Sequence, residues 1–140
     1  MNTAFWAEKL KELRTHGRVK TAPGAEPEEL ARFEAALGMR LPEPYREWLQ
    51  LSDGGLLFPP AGLQLYGAAH RPLLSAEARG CPEGYLMAGT MPYGDPVLME
   101  KGSGRFLLYN QETGEIAPEE TFPDFVSFLD HLPALLGLEG

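Results

Sequence analysis

The residues of this chain that could bind a metal ion are few and far apart. The three histidines are His16, His70 and His131, and none is followed three or four positions later by another residue that binds metals. A structural zinc site needs four nitrogen or sulfur ligands, and the chain has a single cysteine, Cys81, to add to them. The sequence therefore predicts no metal site.

Two short segments contain a potential nucleophile. Cys81 lies in Gly80-Cys81-Pro82 without a base or an orienting group close to it in sequence, so we interpret it as an unreactive loop thiol. Gly102-Ser103-Gly104 resembles a nucleophile elbow, but an elbow requires a strand before it and a helix after it, whereas strands are predicted on both sides here. Since the glycines also form no phosphate-binding or dinucleotide-binding loop, we expect no cofactor.

Asp53 and Asp95 are the best candidates for a catalytic pair of carboxylates. Two carboxyl groups held close together can act as acid and base. Asp53 precedes Gly54-Gly55, and Asp95 follows Gly94. Acids beside glycines more often accept hydrogen bonds from backbone N–H groups and close turns, which is the interpretation we favour. We expect a protein that is not an enzyme, with a hydrolase that uses Asp53 and Asp95 as the minor alternative.

Length and charge indicate one domain and exclude nucleic acid as a partner. The 140 residues are typical of a single domain, 1–140, and the formal net charge is −8. No Lys or Arg follows Arg105, so the C-terminal quarter is acidic. Nucleic-acid binding requires clustered cations, which the chain lacks outside its first twenty residues. An acidic surface instead steers basic proteins towards it, although surface acids can also serve solubility alone.

The sequence gives no indication of a membrane protein. No stretch approaches the roughly 18 apolar residues that a membrane span requires, and the N-terminus mixes charged with apolar residues instead of forming a secretory apolar block. One cysteine cannot form an internal disulfide, which fits a reducing compartment. We expect a cytoplasmic protein.

The first third of the sequence is predicted to be helical. A first helix runs from Thr3 to Gly17, a second from Pro27 to Gly38, and a third follows the link 39–42 and ends before Asp53. The apolar stripes of the three helices are formed by Trp6, Leu10, Leu13, Leu30, Phe33, Leu37, Tyr45, Trp48 and Leu49. Because the link is short, the second and third helices are expected to form an αα-hairpin.

Short apolar runs separated by Gly, Pro and Asp predict an antiparallel meander beyond Pro59. The predicted strands are 63–66, 85–88, 97–100, 106–109 and 115–117, with turns at 101–105 and 111–114 and an irregular loop over 67–84. Thr121 is predicted to cap a last helix that packs on the sheet. The fold class is therefore α+β, a mainly antiparallel sheet of about four to six strands with an N-terminal αα-hairpin and a C-terminal helix.

One segment resembles the signature of a known family. Leu41-Pro42-Glu43-Pro44-Tyr45-Arg46-Glu47-Trp48-Leu49, followed by Ser52-Asp53-Gly54-Gly55, is similar to the signature helix and the Gly-Gly stop of the SUKH superfamily, which includes the Smi/Knr proteins. The segments 27–38, 89–98, 106–115 and 121–129 resemble, in the same order, the helix before the signature, the central strands, the next hairpin and the closing helix. The chain departs from the pattern at Ser52, where members often have Asn, and in the long loop from His70 to Pro82.

The resemblance implies a non-enzymatic domain that binds proteins. In bacteria such domains are inferred to be immunity proteins that neutralise a cognate toxin, and in fungi they belong to regulators of signalling and of the cell wall. We therefore expect an immunity-type inhibitor of a toxin, with a basic toxin domain as the candidate partner, and the alternative is an intracellular adaptor that binds a host protein. Asp53, Tyr66, Tyr93 and Asp95 are the predicted contacts with the partner, because aromatic anchors dominate binding energies.

Two apolar segments bear on the oligomeric state. The segments 56–58 and 135–136 are apolar and would pair two subunits if exposed, but a place in the core explains them equally well. We expect a monomer or a weak homodimer.

Overall fold

The structure is a computed structural model that describes residues 3–59, 62–70, 73–75, 81–110 and 112–137, without the side chains of residues 3 and 117–119. The described residues form four helices and seven strands. The helices are α1 (Thr3–Arg14), α2 (Pro27–Leu37), α3 (Glu43–Leu51) and α4 (Phe125–Leu135). The strands are β1 (Val19–Lys20), β2 (Gly55–Leu57), β3 (Leu63–Leu65), β4 (Tyr85–Thr90), β5 (Pro96–Glu100), β6 (Phe106–Asn110) and β7 (Glu115–Phe122).

The seven strands form one antiparallel sheet in which each strand pairs with the next one along the chain. This meander confirms the predicted α+β class and the five predicted strand positions. The sheet has more strands than expected because β1 and β2 also join it. These two strands are two and three residues long, and they form by pairing with each other and with β3.

Helices α2 and α3 begin and end where the sequence places them. Pro27 is the first residue of α2, and Gly38 ends it in the left-handed conformation, with φ of 82°. The side chain of Glu34 then ties the two helices together, because it accepts hydrogen bonds from the backbone N–H of Leu41 and from Nε of Arg46. The short link between the helices is therefore fixed at both ends.

The last helix begins later than predicted. Asp124, not Thr121, is the N-cap of α4, and its carboxylate accepts a hydrogen bond from the backbone N–H of Ser127 at 2.8 Å. Thr121 is still part of β7, where it pairs with Leu107 of β6. Strand pairing at this position outweighs the local capping signal, and the predicted cap at Thr121 is wrong.

All four helices pack on the same face of the sheet, which we call the inner face. Its core is dominated by large aromatic side chains that are almost fully buried: Trp6, Tyr45, Trp48, Phe106, Phe125 and Phe128. The ring of Phe125 contacts the rings of Tyr45, Trp48, Phe106 and Phe128, with ring centroids 5.0 to 6.5 Å apart. Aromatic pairs at such distances add to the energy of burial. The apolar helix stripes predicted from the sequence all belong to this core or pack against it.

Parts of two predicted loops are described. In the loop 67–84, Gly67 pairs with Leu73 and Ser75 with Met87 as isolated bridges, while residues 71–72 and 76–80 lie outside the described residues. In the turn 111–114, the backbone N–H of Gly114 donates to the carbonyl of Asn110, and Gln111 lies outside the described residues.

Candidate protein-binding surface

The opposite face of the sheet, which we call the outer face, has an apolar centre. The strand register places Met87, Leu98, Leu107 and Thr121 in one row across β4, β5, β6 and β7. Met87, Leu98 and Leu107 are 8%, 0% and 1% exposed, and they form a cluster of their own, separate from the inner core. No residue of the described helices belongs to this cluster. Strand and loop residues alone therefore form and cover it within the described chain.

Tyrosines surround this apolar centre. Tyr66, Tyr85 and Tyr109 pack against the cluster together with Cys81 and Ile116, and all five are partly exposed. The hydroxyl of Tyr66 is hydrogen-bonded to that of Thr90. A dry apolar centre inside a ring of amphipathic aromatic side chains is the arrangement found where proteins bind one another. The outer face is therefore the best candidate for a protein-binding surface.

A groove of about 570 Å³ opens on this face beside β6 and β7. It is lined by Tyr85, Arg105, Leu107, Ile116, Thr121, Phe122 and Pro123. The strand β7 forms one wall, and its register against β6 shifts between Leu107 and Tyr109: Leu107 pairs with Thr121, whereas Tyr109 pairs with Ile116. Residues 117–120 of β7 therefore lie opposite the single residue Leu108 of β6, which interrupts the regular pairing of the two strands.

The charge of Arg105 in this groove is balanced. Its guanidinium donates from Nε and from an Nη atom to Oε1 of Glu100, at 3.0 and 2.8 Å. Hydrogen bonds from Ser103 and from Arg105 lower the pKa of Glu100, so the pair is ionised at neutral pH. The described lining therefore offers apolar surface and hydroxyl groups but little net charge.

Tyr93 and Asp95, two of the predicted contacts, lie together in the turn between β4 and β5. Tyr93 is 58% exposed, which makes it the most exposed large hydrophobic side chain of the described residues. Partial burial, with the nearby carboxylates of Glu120 and Asp95, raises the pKa of Tyr93. An exposed aromatic ring next to two acids is suited to bind a Lys or Arg side chain.

Asp53, the third predicted contact, lies inside the protein. It is 2% exposed, and its carboxylate accepts hydrogen bonds from the backbone N–H groups of Ala68, Ala69 and His70 at 2.6 to 2.8 Å. Its Oδ2 is also 2.8 Å from Nδ1 of His70. A partner cannot reach this side chain, so its assignment to a contact surface does not agree with its burial. As expected, Asp53 accepts hydrogen bonds from backbone N–H groups, but the donors lie 15 to 17 residues further along the chain and not in the turn beside it.

The residues on either side of Asp53 form a polar junction between α3 and the sheet, which we call the junction and define as Trp48, Ser52, Asp53, Gly54 and Gly55. The carbonyl of Gly54 accepts hydrogen bonds from Nε1 of Trp48 and from the hydroxyl of Ser52. Gly54 has φ of 99°, and a Cβ atom there would lie 2.8 Å from the carbonyl oxygen of Leu65. Only glycine fits this approach without strain. The signature segment therefore serves the fold from the interior.

The structure does not bring Asp53 and Asp95 together as a catalytic pair. Asp53 lies two residues before β2, and Asp95 directly precedes β5. Three strand spacings, about 14 Å, separate β2 from β5 in the sheet, whereas paired catalytic carboxyl groups lie roughly 5 to 10 Å apart.

The other candidates for chemistry are also dispersed. Among the described residues no group of three or more His, Cys, Asp or Glu side chains could hold a metal ion. Cys81 packs against the outer cluster, and burial raises the pKa of its thiol, which keeps the thiol in its less reactive protonated form.

Sequence reasoning named Tyr66, which packs against the outer cluster, and Tyr93 and Asp95, which lie in the turn between β4 and β5, but missed Tyr85 and Tyr109. The signal was present, because Tyr85 alternates with Met87 in β4 and Tyr109 alternates with Leu107 in β6. Side chains two positions apart in a strand share a face. Each pair shares the outer face, but the sequence alone did not indicate which of the two faces the helices would cover.

The apolar segments considered for subunit pairing are mostly occupied by the core. Leu57 and Phe58 are 0% and 6% exposed. Leu135 and Leu136 are half-buried against the inner core. Within the described part of the chain, no helix is long and apolar enough to cross a membrane.

Comparison with protein families gives one match. Residues 24–131, from just before α2 into α4, match the family described as SMI1 / KNR4 family (SUKH-1). No curated protein sequence matches the chain significantly.

Proposed function

The chain belongs to the SMI1 / KNR4 family (SUKH-1), whose match covers residues 24–131 of its 140, and on this premise we propose that it is a protein-binding domain that inhibits a cognate bacterial toxin as its immunity protein. The domain binds with the outer face of its sheet. It acts by occupying the toxin's surface and not by catalysis.

The outer face is the observation that supports this proposal best. Its centre is apolar and almost fully buried, and the tyrosines Tyr66, Tyr85 and Tyr109 around it keep part of their surface exposed. Tyrosine supplies a large contact area and a hydroxyl group at a small cost in conformational entropy. A rigid sheet holds these rings in place before binding, which reduces the entropy that binding must overcome.

The charge of the chain indicates the chemistry of the partner. The net charge is −8, and the acids Asp95 and Glu120 lie beside the exposed ring of Tyr93. An acidic surface accelerates encounters with a basic protein, and salt weakens this attraction. Toxins that cut nucleic acids need a basic cleft to hold phosphates. A basic toxin domain is therefore the partner that the charge favours.

The first experiment identifies the partner and then rebuilds the complex from purified proteins. The tagged domain is used for affinity capture from its native cells at low and at high salt, and retained proteins are identified by mass spectrometry. A retained basic protein is then purified, and its activity is titrated with the domain. Inhibition that is complete at one domain per toxin supports an inhibitor, because an enzyme would inactivate an excess of its target by turnover.

Two variants test the surface. We expect a Tyr66→Ala and Tyr109→Ala double variant to lose inhibition, whereas Phe5→Ala, which removes a partly exposed aromatic ring from α1, keeps it. A host enzyme or scaffold retained in place of a toxin would overturn the immunity role and establish the adaptor instead. If one molecule of the domain inactivated many toxin molecules, both the immunity role and the adaptor role would be overturned.

A further inference from the structure

The strand β1 forms one edge of the sheet, and it lacks features that protect the other edge. β1 pairs with β2 and, among the described residues, with no strand on its other side. At the opposite edge, β7 contains Pro118, which has no N–H group to donate, and its pairing with β6 is interrupted. Proline and irregular pairing keep an edge strand from pairing with another chain. β1 has neither, so it is the edge at which a further strand can add.

The backbone of Val19 points to the open side of β1. The backbone N–H of Phe58 donates to the carbonyl of Arg18 at 2.7 Å, so the backbone of Arg18 is directed towards β2. Residues of an antiparallel strand direct their N–H and C=O groups alternately to the two sides. Those of Val19 therefore point away from β2, and within the described chain they have no hydrogen-bond partner. They can form one hydrogen-bonded residue pair with an added strand.

Two cations flank Val19 on the outer face. Val19 packs in the inner core, so Arg18 and Lys20, one position before and after it, lie on the other side of the strand. The register agrees with this for Lys20, because cross-strand pairs join it through β2 and β3 to Thr90, whose hydroxyl is hydrogen-bonded to that of Tyr66. Both cationic side chains are exposed, and neither forms an ion pair with a described acid.

These two cations differ from the others of the basic N-terminal segment. Lys11 and Arg14 lie in the last turn of α1, where cations stabilise a helix through its dipole. Arg18 and Lys20 belong to the edge of the sheet, where cations repel the same strand of a second copy. They attract a strand that carries acids, because side chains opposite each other on neighbouring strands lie about 5 Å apart. The edge is therefore selective for an acidic strand.

From the open edge and its two cations we infer that β1 binds an extended acidic segment of a partner protein as an additional strand of the sheet. One residue of the segment pairs with Val19, and Asp or Glu one position before and after it lie opposite Arg18 and Lys20. The inference goes beyond the proposed function, since the tyrosines of the outer face take no part in this contact.

A polypeptide is the occupant that fits best, because it uses both the backbone groups and the cations of this edge. A nucleic acid or an anionic membrane would use the cations alone. Such a large polyanion would also meet the rest of the chain, since residues 21–140 carry seven Lys and Arg against 18 Asp and Glu.

Three peptides with blocked ends test the inference: Thr-Thr-Glu-Val-Glu-Thr-Thr, Thr-Thr-Lys-Val-Lys-Thr-Thr and Thr-Thr-Glu-Pro-Glu-Thr-Thr. The second reverses the charges, and the third keeps them but lacks the central N–H that would donate to the carbonyl of Val19. Each is titrated into isotope-labelled protein, and the amide resonance of Val19 is followed by NMR. We expect the first peptide to shift this resonance saturably. It should bind at least about tenfold more tightly than the second and about fivefold more tightly than the third.

Charge reversal locates the binding. Arg18→Glu combined with Lys20→Glu should bind the lysine peptide more tightly than the first peptide, because attraction and repulsion are exchanged. Arg32→Glu combined with Arg40→Glu changes the net charge equally at two exposed cations of α2 and of the link after it, and it should keep the original preference. If the spectrum of the first variant shows unfolding, Arg18→Gln combined with Lys20→Gln replaces it and should weaken the first peptide at least about tenfold.

Several results would overturn the inference. They are equal binding of the first and third peptides, the same preference in both charge-reversed proteins, or loss of the first peptide in the Tyr66→Ala and Tyr109→Ala double variant. Tighter binding of phosphatidylserine vesicles or of single-stranded DNA through Arg18 and Lys20 would identify a polyanion as the occupant. Self-association that the charge reversal abolishes would identify a second copy of the chain.

Discussion

The junction and the outer face make opposite use of polar and aromatic residues. In the junction, the carboxylate of Asp53 is 2% exposed and is saturated by hydrogen bonds from the backbone of 68–70. On the outer face, Tyr66, Tyr85 and Tyr109 keep exposed surface around a buried apolar centre. The residues that identify the family therefore hold the fold together, and residues without a motif form the surface that can meet a partner.

This difference follows from the requirements of each region. A buried charge is tolerated only when several donors surround it, so the junction depends on the identity and geometry of a few residues. A binding surface depends on shape and on the few rings that anchor it, which many sequences can supply. Substitutions in the junction should therefore change stability, and substitutions on the outer face should change affinity.

The largest effect is expected from Asp53→Ala. It leaves three backbone N–H groups and the ring of His70 without their acceptor, which should lower the free energy of unfolding by about 4 kcal/mol. Urea denaturation measures the change. Glu112→Ala removes an exposed carboxylate from the turn between β6 and β7 and is the control, which should cost less than about 1 kcal/mol. A loss at Asp53 as small as that at Glu112 would show that the junction does not depend on its carboxylate.

The second effect compares two glycines with the same backbone angle. Gly54 in the junction and Gly94 in the β4–β5 turn both have φ of 99°, but an added Cβ would lie 2.8 Å from a carbonyl oxygen at Gly54 and would meet nothing within 4 Å at Gly94. Gly94→Ala should cost about 1 kcal/mol from the backbone angle, and Gly54→Ala about 3 kcal/mol because the clash adds to it.

Thermal or urea denaturation of both glycine variants gives the difference directly. Since the backbone angle is common to both, the excess at Gly54 isolates the close packing of the junction against β3. Equal losses at the two positions would mean that the backbone adjusts and that the junction is less rigid than its contacts indicate.

The third effect concerns the outer face, where substitutions should change affinity more than stability. Tyr66→Ala or Tyr109→Ala on the outer face should weaken partner binding by about 2 kcal/mol, which is roughly a 30-fold increase in Kd, because an aromatic anchor is lost. Unfolding should be affected much less than by Asp53→Ala, since both rings are partly exposed. Isothermal titration with the purified partner measures the affinity, and Phe5→Ala is the control. A tyrosine variant that loses stability but keeps its affinity would contradict the separation of roles.

The smallest effect concerns the buried hydroxyl of Tyr45, next to the junction. Unlike the carboxylate of Asp53, this hydroxyl has no hydrogen-bond partner among the described residues. Tyr45→Phe should therefore keep the stability at neutral pH or raise it by about 1 kcal/mol, because an unsatisfied polar group is removed.

Tyr45 also predicts a pH dependence with a defined sign. Burial, with the nearby charge of Asp53, raises the pKa of Tyr45 well above its usual value. As the pH rises past about 10, the unfolded chain loses this proton before the folded one does, so the wild-type protein loses stability in alkali. Tyr45→Phe should lose less. The raised pKa of Lys9 acts in the same pH range, because its hydrogen bonds to Asp130 and Glu12 outweigh the opposing effect of burial, but Lys9 is present in both proteins and cancels in the comparison. The free energy of unfolding of both proteins is measured against pH by urea denaturation. Parallel curves would show that Tyr45 does not contribute to the loss of stability in alkali.

The sequence by itself determined the bounds of α2, the apolar stripes of the helices and the positions of five strands. The start of α2 at Pro27, its end at Gly38 and the stripe of Tyr45, Trp48 and Leu49 on α3 are all present as predicted. Each of these signals acts over four residues or fewer, through caps, backbone angles and helical periodicity. Caps, backbone angles and helical periodicity can therefore be predicted from residues that are close together in the sequence.

Only the tertiary structure decided which residues reach the surface. β1 and β2 exist because distant strands pair with them, Thr121 stays in β7 because β6 holds it there, and Asp53 is buried because the segment 67–70 folds over it. Tyr85 and Tyr109 keep exposed surface on the proposed binding face because the four helices cover the other face of the sheet. Strand register and the choice of a covered face depend on contacts between residues far apart in sequence, and no local pattern contains that information.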